Sequence, residues 1–499
     1  MTTTVELLPE VEAFLSSPRR LLIGGEWVEA ASGRRFASIN PSTGEPLAEV
    51  AEADAADVDR AVAAAREAFA GAWRAVTPAQ RGQMLWRLAD LIEARADTFA
   101  QLEALDLGKS VKIVRMVDLP LAASHFRYYA GWATKIQGDT IPTGSIRNPT
   151  ARFLTYTLRE PVGVVGSIIP WNFPLLMVAW KLAPALACGN TVVLKPAEQT
   201  PLSALLLGEL LAEAGFPPGA VNIVPGFGPT AGAAIVRHPG IDKVAFTGST
   251  EVGREIVRES AGNLKRISLE LGGKSPNIVF PDADIDAAIQ GSLMAVMYNQ
   301  GQVCSAGSRL FVHQSVAEQV TERLVELAGK TRLGHALDPR AQMGPLVSAE
   351  QERRVLRYID LGRQEGATLA AGGAKAEDLG GYFVRPTIFT GARDEMTIAR
   401  EEIFGPVLTV LPFESVEEVA ARANSSVYGL AAGVWTRDIK TAHRMAAALQ
   451  AGTVWVNCYN VFDASAPFGG YKQSGYGREL GAASLELYTQ LKTVWVDLN

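Results

Sequence analysis

The chain has 499 residues, 48% apolar and 20% charged, with a formal net charge of −6. That length exceeds one hydrophobic core and calls for several domains of ordinary globular composition. The near-balanced charge, with no long basic run, excludes a nucleic-acid-binding face, which needs concentrated positive charge.

The N-terminal run MTTTVELLPEVEAFL has no early arginine and is rich in glutamate. It therefore lacks the charged start of a secretory signal and the Arg-rich, acid-poor character of a transit peptide. Residues 55–70 have helical spacing, many alanines and an aspartate near the start, and residues 80–101 continue in that style. Residues 161–180 carry no charge and are long enough to imitate a membrane span. Pro161, Pro170 and Pro174 break the run, and Asn172 lies within it. It reads as a buried strand over 162–168, a tight turn, and a helix starting near Pro174. Further strands are predicted at 191–195, 221–224, 243–248 and in ISLELGG, with helices at 201–214, 231–237 and 251–260. Short apolar strands alternating with amphipathic helices argue for a parallel sheet covered on both faces. A second alternation is read after Cys304: strand 309–313, helix 316–330, strand 408–413, helix 416–424, strand 430–436, helix 439–449 and strand 453–457. Gly272–Gly273 lie close to the seam. Two extended segments fit neither sheet, residues 138–160 and the tail ending KTVWVDLN. Both are rich in Thr, Val and aromatics, so they can pair with each other or with a second subunit.

Three cysteines, Cys188, Cys304 and Cys458, cannot build a disulfide framework, and they fit a reducing, cytoplasmic setting. No CxxC pair or His cluster points to a metal. Cys304 sits in NQGQVCSAGSR, among glycines and small polar residues. A nucleophilic cysteine needs such backbone access; the alternative is a small buried packing residue. Cys188 and Cys458, in ALACGN and WVNCYN, are assigned to packing. Glu270 ends an apolar strand before two glycines, a candidate general base or a charge paired with a neighbouring cation. Asn172 in IIPWNFP is a rigid amide donor for an oxyanion or a turn former. The GxGxxG dinucleotide fingerprint is absent, and GFGPTAG only approximates it. Lys195 and Glu198, in TVVLKPAEQTP, follow a strand and precede a helix, where ligand crevices form. FTGST opens another helix whose N-terminus can take a phosphate.

The segments IPWNFP, KPAEQTP, FTGST, LELGGK, GQVCSAGSR, EEIFGPV and PFGGYKQSGYGRELG, in that order, resemble the aldehyde dehydrogenase superfamily across residues 20–499. The nearest likeness is to the NAD-dependent retinal, mitochondrial-type and phenylacetaldehyde dehydrogenases. The resemblance implies two doubly wound α/β domains plus a β extension for oligomerisation. Residues 1–137 and 162–272 would bind NAD on a Rossmann variant, 273–481 would carry catalysis, and 138–161 with 482–499 would join subunits into a homodimer or homotetramer.

It also implies roles. Cys304 attacks the aldehyde, Asn172 and the Cys304 backbone N–H hold the oxyanion, and Glu270 activates water to hydrolyse a thioester. Lys181 and Glu479 match a proton relay. Ile168, Trp171, Lys195, Glu198, Gly228, Gly248, Ser249, Glu402 and Phe404 match cofactor positions. NAD is favoured over NADP because the Glu198 carboxylate repels a 2′-phosphate. The substrate tunnel maps onto Phe173, Leu176, Met177, Trp180, Tyr298, Val303, Ser305, Phe462 and Phe468. Phe173, Met177 and Trp180 share one helix face, which without the resemblance reads as ordinary core. The apolar lining implies a hydrophobic aldehyde, with betaine aldehyde or a short-chain aldehyde as alternatives and no carboxylate in the tunnel apart from Asp463. A CoA-acylating relative and a structural protein on the same fold are the competing classes; Glu270 argues against the first and the intact Cys304–Glu270–Asn172 set against the second.

Overall fold

A computed structural model describes residues 6–499. The first five residues of the N-terminal run, part of the segment read for targeting features, lie outside them. The described chain forms an α/β structure built on two large sheets, a small three-stranded sheet and two two-stranded ribbons.

The first sheet is eight-stranded. Its parallel strands lie in the order Val221–Ile223, Thr191–Lys195, Val164–Ile168, Lys243–Thr247, Arg266–Glu270. Val164–Ile168 comes first in the chain, and successive strands leave it first on one side and then on the other. The topological switch point therefore falls between the ends of Val164–Ile168 and Lys243–Thr247, where a doubly wound sheet opens a ligand crevice. These central strands are almost entirely buried, which explains their continuous apolar runs. The helix Ala55–Ala70 has the bounds its spacing predicts, because Asp54 caps its first turn in a box with Asp57. The apolar run at 161–180 divides between Val164–Ile168 and the helix Pro174–Ala187, buried along its whole length. Among the described residues no helix is long and apolar enough to cross a membrane. A hairpin of Leu21–Ile23 and Glu26–Val28 extends one edge, and Gly475–Tyr476 extends the other by pairing with Leu269 and Glu270. Residues 475–476, placed by the resemblance in the catalytic segment 273–481, thus complete the first sheet.

The second sheet is seven-stranded, in the order Thr368–Ala371, Thr387–Thr390, Val407–Phe413, Arg309–His313, Pro276–Val279, Ala431–Trp435, Thr453–Val456. All but the first pair are parallel. This alternation starts before Cys304, not after it: Pro276–Val279 and the helix Ile285–Met297 come first. A buried four-residue strand has no period-two pattern to betray it. Cys304 consequently lies in the crossover that enters Arg309–His313, at that strand's amino end.

In the small sheet, Thr489–Asp497 pairs antiparallel with all of Phe153–Pro161, and Thr140–Ile141 adds on the other side. The two extended segments pair with each other, leaving Leu154, Leu158, Leu491 and Trp495 exposed.

Candidate active site

The carboxyl ends of the first sheet face the crossover carrying Cys304, and between them lies a cavity of about 460 Å³. Its wall includes Trp171, Asn172, Gly248, Ser249, Glu270, Cys304, Glu402 and Phe404, with Phe173, Leu176, Met177, Trp180, Tyr298, Val303, Ser305, Phe462 and Phe468. Residues spread over some 300 positions of sequence therefore share one space.

Close backbone approaches fix the Cys304 loop. A Cβ on Gly273 would stand 2.5 Å from the Cys304 carbonyl oxygen, and one on Gly272 would stand 2.2 Å from a Glu402 carboxylate oxygen. Gly301 has φ 72°, and a Cβ there would meet the Gly405 carbonyl oxygen at 2.0 Å. The LELGG, GQVC and EEIFG motifs thus interlock through their glycines. Phe404 itself has φ 62°, a costly conformation for an aromatic residue. Gln351 supports it by donating from Nε2 to the Phe404 carbonyl oxygen at 2.7 Å, while the Phe404 ring meets Trp171 edge-on at 5.2 Å between centroids.

Asn172 follows Pro170 at the end of Val164–Ile168 and is 4% exposed. Its Nδ2 donates to the Gln302 carbonyl oxygen at 2.9 Å, and its own carbonyl accepts from Asn299 Nδ2 at 2.7 Å. One amide hydrogen is used in this anchoring, leaving the other for the cavity. Ser305 Oγ donates to Asn460 Oδ1 at 3.0 Å, and Tyr459 donates to the Ser305 carbonyl at 2.8 Å.

The acidic groups disfavour one another's charge. Burial first, then the Glu402 and Glu270 carboxylates, push the Cys304 thiol up to about 12. Burial raises Glu402 to about 7, opposed by the Gly273 N–H that it accepts at 3.0 Å. Burial, then Glu479, holds Glu270 well above the usual carboxylate range, opposed by Lys181 and Arg478. Glu270 Oε2 has no hydrogen-bond partner. Buried together on one cavity wall, these three groups disfavour one another's ionised forms.

Some predicted residues stand behind the wall. Lys181 and Glu479 form an ion pair at 2.5 Å, both about 1% exposed or less. Lys195 and Glu198 pair at 3.2 Å beyond the end of Thr191–Lys195. Ile168 ends the neighbouring strand, and Gly228 opens the π-helical turn Gly228–Gly232, where a Cβ on Gly232 would lie 3.6 Å from Lys195. Ser249 caps Thr250–Glu259, accepting from Val252 N at 3.2 Å, and Thr247 Oγ1 nearby is buried without a partner. An open helix N-terminus at the switch point, an orphaned hydroxyl and the Lys195–Glu198 pair fit a dinucleotide.

Sequence reasoning missed Gln351, Tyr459, Asn460 and Asp118. The absence of a tunnel carboxylate is corrected: Asp118 lines the cavity, whereas Asp463 is exposed and held by Ser465. Asp118 forms a buried ion pair with Lys109 and accepts from the Tyr298 hydroxyl at 3.0 Å. Only Tyr298 of that trio had a sequence signal, through its place before Cys304.

A family model described as the aldehyde dehydrogenase family matches residues 27–494. The chain belongs to the aldehyde dehydrogenase family. It is 55% identical over 480 residues to human mitochondrial aldehyde dehydrogenase, covering 96% of this chain and 92% of that protein. Human retinal dehydrogenase 2 is 52% identical over 483 residues, 96% of this chain and 92% of the relative. A solved structure, the NAD+ complex of aldehyde dehydrogenase from Bacillus cereus, superposes with a TM-score of 0.97 at 56% identity, covering 100% of both chains. Family membership makes this chain an oxidoreductase acting on aldehydes, and the cavity is where the family's motifs converge.

Proposed function

We propose that the protein is a hydrolytic, NAD-dependent aldehyde dehydrogenase for hydrophobic aldehydes, acting as a cytoplasmic homo-oligomer, dimer or tetramer. In this reading residues 1–137 and 162–272 serve the cofactor, 273–481 catalysis and 138–161 with 482–499 assembly. The observation that carries the chemistry is the convergence of Cys304, Asn172 and Glu270 on one cavity at the switch point.

Cys304 Sγ adds to the aldehyde carbon once its proton has gone to Glu270. The oxyanion lies against the remaining Asn172 amide hydrogen and the Cys304 backbone N–H. NAD, when bound, supplies the hydride acceptor; Lys195 and Glu198 would hold a ribose, Ser249 the pyrophosphate, and Glu402 the nicotinamide side. Cys304 is left as a thioester. Glu270 releases the thiol proton to solvent and, as a carboxylate again, takes a proton from water as that water attacks the thioester carbon; the C–S bond breaks, the Cys304 sulfur regains a proton from Glu270, and the carboxylic acid leaves.

The aromatic wall supports a hydrophobic substrate. Trp180, Phe462 and Phe468 meet one another tilted or edge-on, with ring centroids 5.4–6.3 Å apart. A quaternary ammonium is disfavoured, because Lys109 Nζ already lies 3.8 Å from the Phe173 ring centroid and neutralises Asp118. Each buried CH₂ is worth about 0.8 kcal/mol, so three amount to an effect on the order of tens-fold in kcat/KM. The test is NADH formation with phenylacetaldehyde, hexanal, acetaldehyde and betaine aldehyde, with and without CoA. Phenylacetaldehyde or hexanal is expected to have the highest kcat/KM, with no dependence on CoA. A betaine aldehyde or acetaldehyde optimum overturns the substrate class, and a CoA requirement overturns hydrolysis.

A further inference from the structure

Two hydroxyl-bearing rings, Tyr298 and Tyr459, line the cavity beside the apolar side chains of Phe173, Leu176, Met177 and Phe468. Tyr298 opens the turn Tyr298–Gly301 that leads into the Cys304 loop, and its ring lies 6.0 Å from that of Phe173 between centroids. Its hydroxyl donates to Asp118 Oδ1 at 3.0 Å. Burial, then Asp118, holds that hydroxyl far above its ordinary value, so it keeps its proton. Asp118 closes the single π-helical turn Val114–Asp118 ahead of the helix Leu119–Trp132, and such turns are frequent at functional sites. Its second oxygen is held by the Lys109 ammonium, which is fully buried and lies 3.8 Å from the Phe173 centroid and 5.5 Å from that of Tyr298. Both oxygens of Asp118 are thus engaged. The phenolic oxygen of Tyr298 has given its one hydrogen to Asp118 and keeps its lone pairs, with no donor reaching it among the described residues. Donating to a carboxylate also makes it the stronger acceptor, because linked hydrogen bonds polarise one another.

We propose that Tyr298 is a specificity-determining residue: its phenolic oxygen accepts a hydrogen bond from a hydroxyl on the tail of the aldehyde, so the substrates taken best are hydrophobic aldehydes that carry a tail hydroxyl, hydroxylated arylacetaldehydes among them. This rests on the reading of the cavity as a tunnel for hydrophobic aldehydes and narrows it. The selectivity has a direction. Tyr298 cannot donate to the substrate while Asp118 holds its hydrogen, so a tail group that only accepts gains nothing. A hydroxyl that enters an apolar tunnel loses its water and must find a new acceptor there, which makes a missing partner costly.

The experiment measures kcat/KM of wild type and Tyr298→Phe for meta- and para-hydroxyphenylacetaldehyde and for their fluoro counterparts, which are close in size but cannot donate. The ratio of the better hydroxy aldehyde to its fluoro counterpart is expected to fall about tenfold in Tyr298→Phe, which keeps the ring and loses the acceptor. The fall should lie in KM rather than kcat, because a bond to the tail is made equally in the ground state and the transition state. A purely structural role for the Tyr298 hydroxyl would lower both members of a pair together, so an unmoved ratio overturns the proposal. If Tyr298→Phe does not fold, the wild type decides alone: its ratio is expected at or above one, and a ratio below one, the mark of an unpaired hydroxyl, overturns it. Acetaldehyde run alongside separates the parent reading. If it outpaces all four aryl aldehydes in the wild type, the hydrophobic tunnel falls and this inference with it; an unmoved ratio with aryl aldehydes still preferred removes only the role of Tyr298.

Discussion

At the scale of single residues, charge and hydrogen bonding divide the site into two halves. On the proposed substrate side, Asp118 is paired with Lys109 and accepts from the Tyr298 hydroxyl. On the cofactor side, the Glu198 carboxylate is about a quarter exposed and held by Lys195 at 3.2 Å. A carboxylate there accepts from ribose hydroxyls and repels a 2′-phosphate. Glu198→Gln is therefore expected to narrow the NAD-over-NADP ratio of kcat/KM by on the order of tenfold, from loss of that repulsion. Equal use of both cofactors by the wild type would contradict the assignment. The residues that carried a local signal were those whose motifs are short and contiguous. Cys304 was legible from its glycine-rich surroundings and Asn172 from its flanking prolines. Asp118, Gln351, Tyr459 and Asn460 were not, because each reaches the cavity from a segment outside the motifs that mark the site.

At the scale of elements, legibility followed burial and capping. The strands Thr191–Lys195 and Arg309–His313 and the helix Val416–Asn424 have the bounds read from sequence. The helix owes this to Ser415, whose hydroxyl accepts from Glu418 N. The hairpin at Leu21–Ile23, the ribbon Arg35–Ile39 with Pro46–Ala51, and Pro276–Val279 escaped notice. They are short, and their pairing partners lie in distant sequence or mix polar and apolar residues without strict alternation. The tail was legible as a strand but not in its register. It pairs along nine positions with Phe153–Pro161, while Leu491 and Trp495 stay exposed, Trp495 at 56%. An exposed apolar face beside an open strand edge needs a cover. Trp495→Asp is expected to yield smaller species by light scattering at unchanged far-ultraviolet dichroism. An unaltered mass would show that assembly does not use this face.

At the scale of the whole molecule, the two sheets meet with opposite strand ends facing each other. The first offers its carboxyl ends at a switch point; the second offers the amino end of Arg309–His313 with Cys304 in the preceding loop. Gly475–Tyr476 crosses back to the first sheet and brings the following Arg478 and Glu479 behind Glu270. The surroundings of Glu270 are thus built jointly, from the last parallel strand of one sheet and a return segment from the other. Burial, then Glu479, holds Glu270 above the usual carboxylate range, so under the proposed mechanism base catalysis is expected to be lost as pH falls through its pKa and to be present above it. The most direct test of the central chemistry is rapid-mixing kinetics of Glu270→Gln with NAD and a hydrophobic aldehyde at alkaline pH. The expected result is a burst of NADH approaching one equivalent per active site, followed by turnover slowed at least a hundredfold, on the order of what a general base contributes. A steady-state rate equal to that of the wild type would contradict a Cys304 thioester hydrolysed by Glu270-activated water.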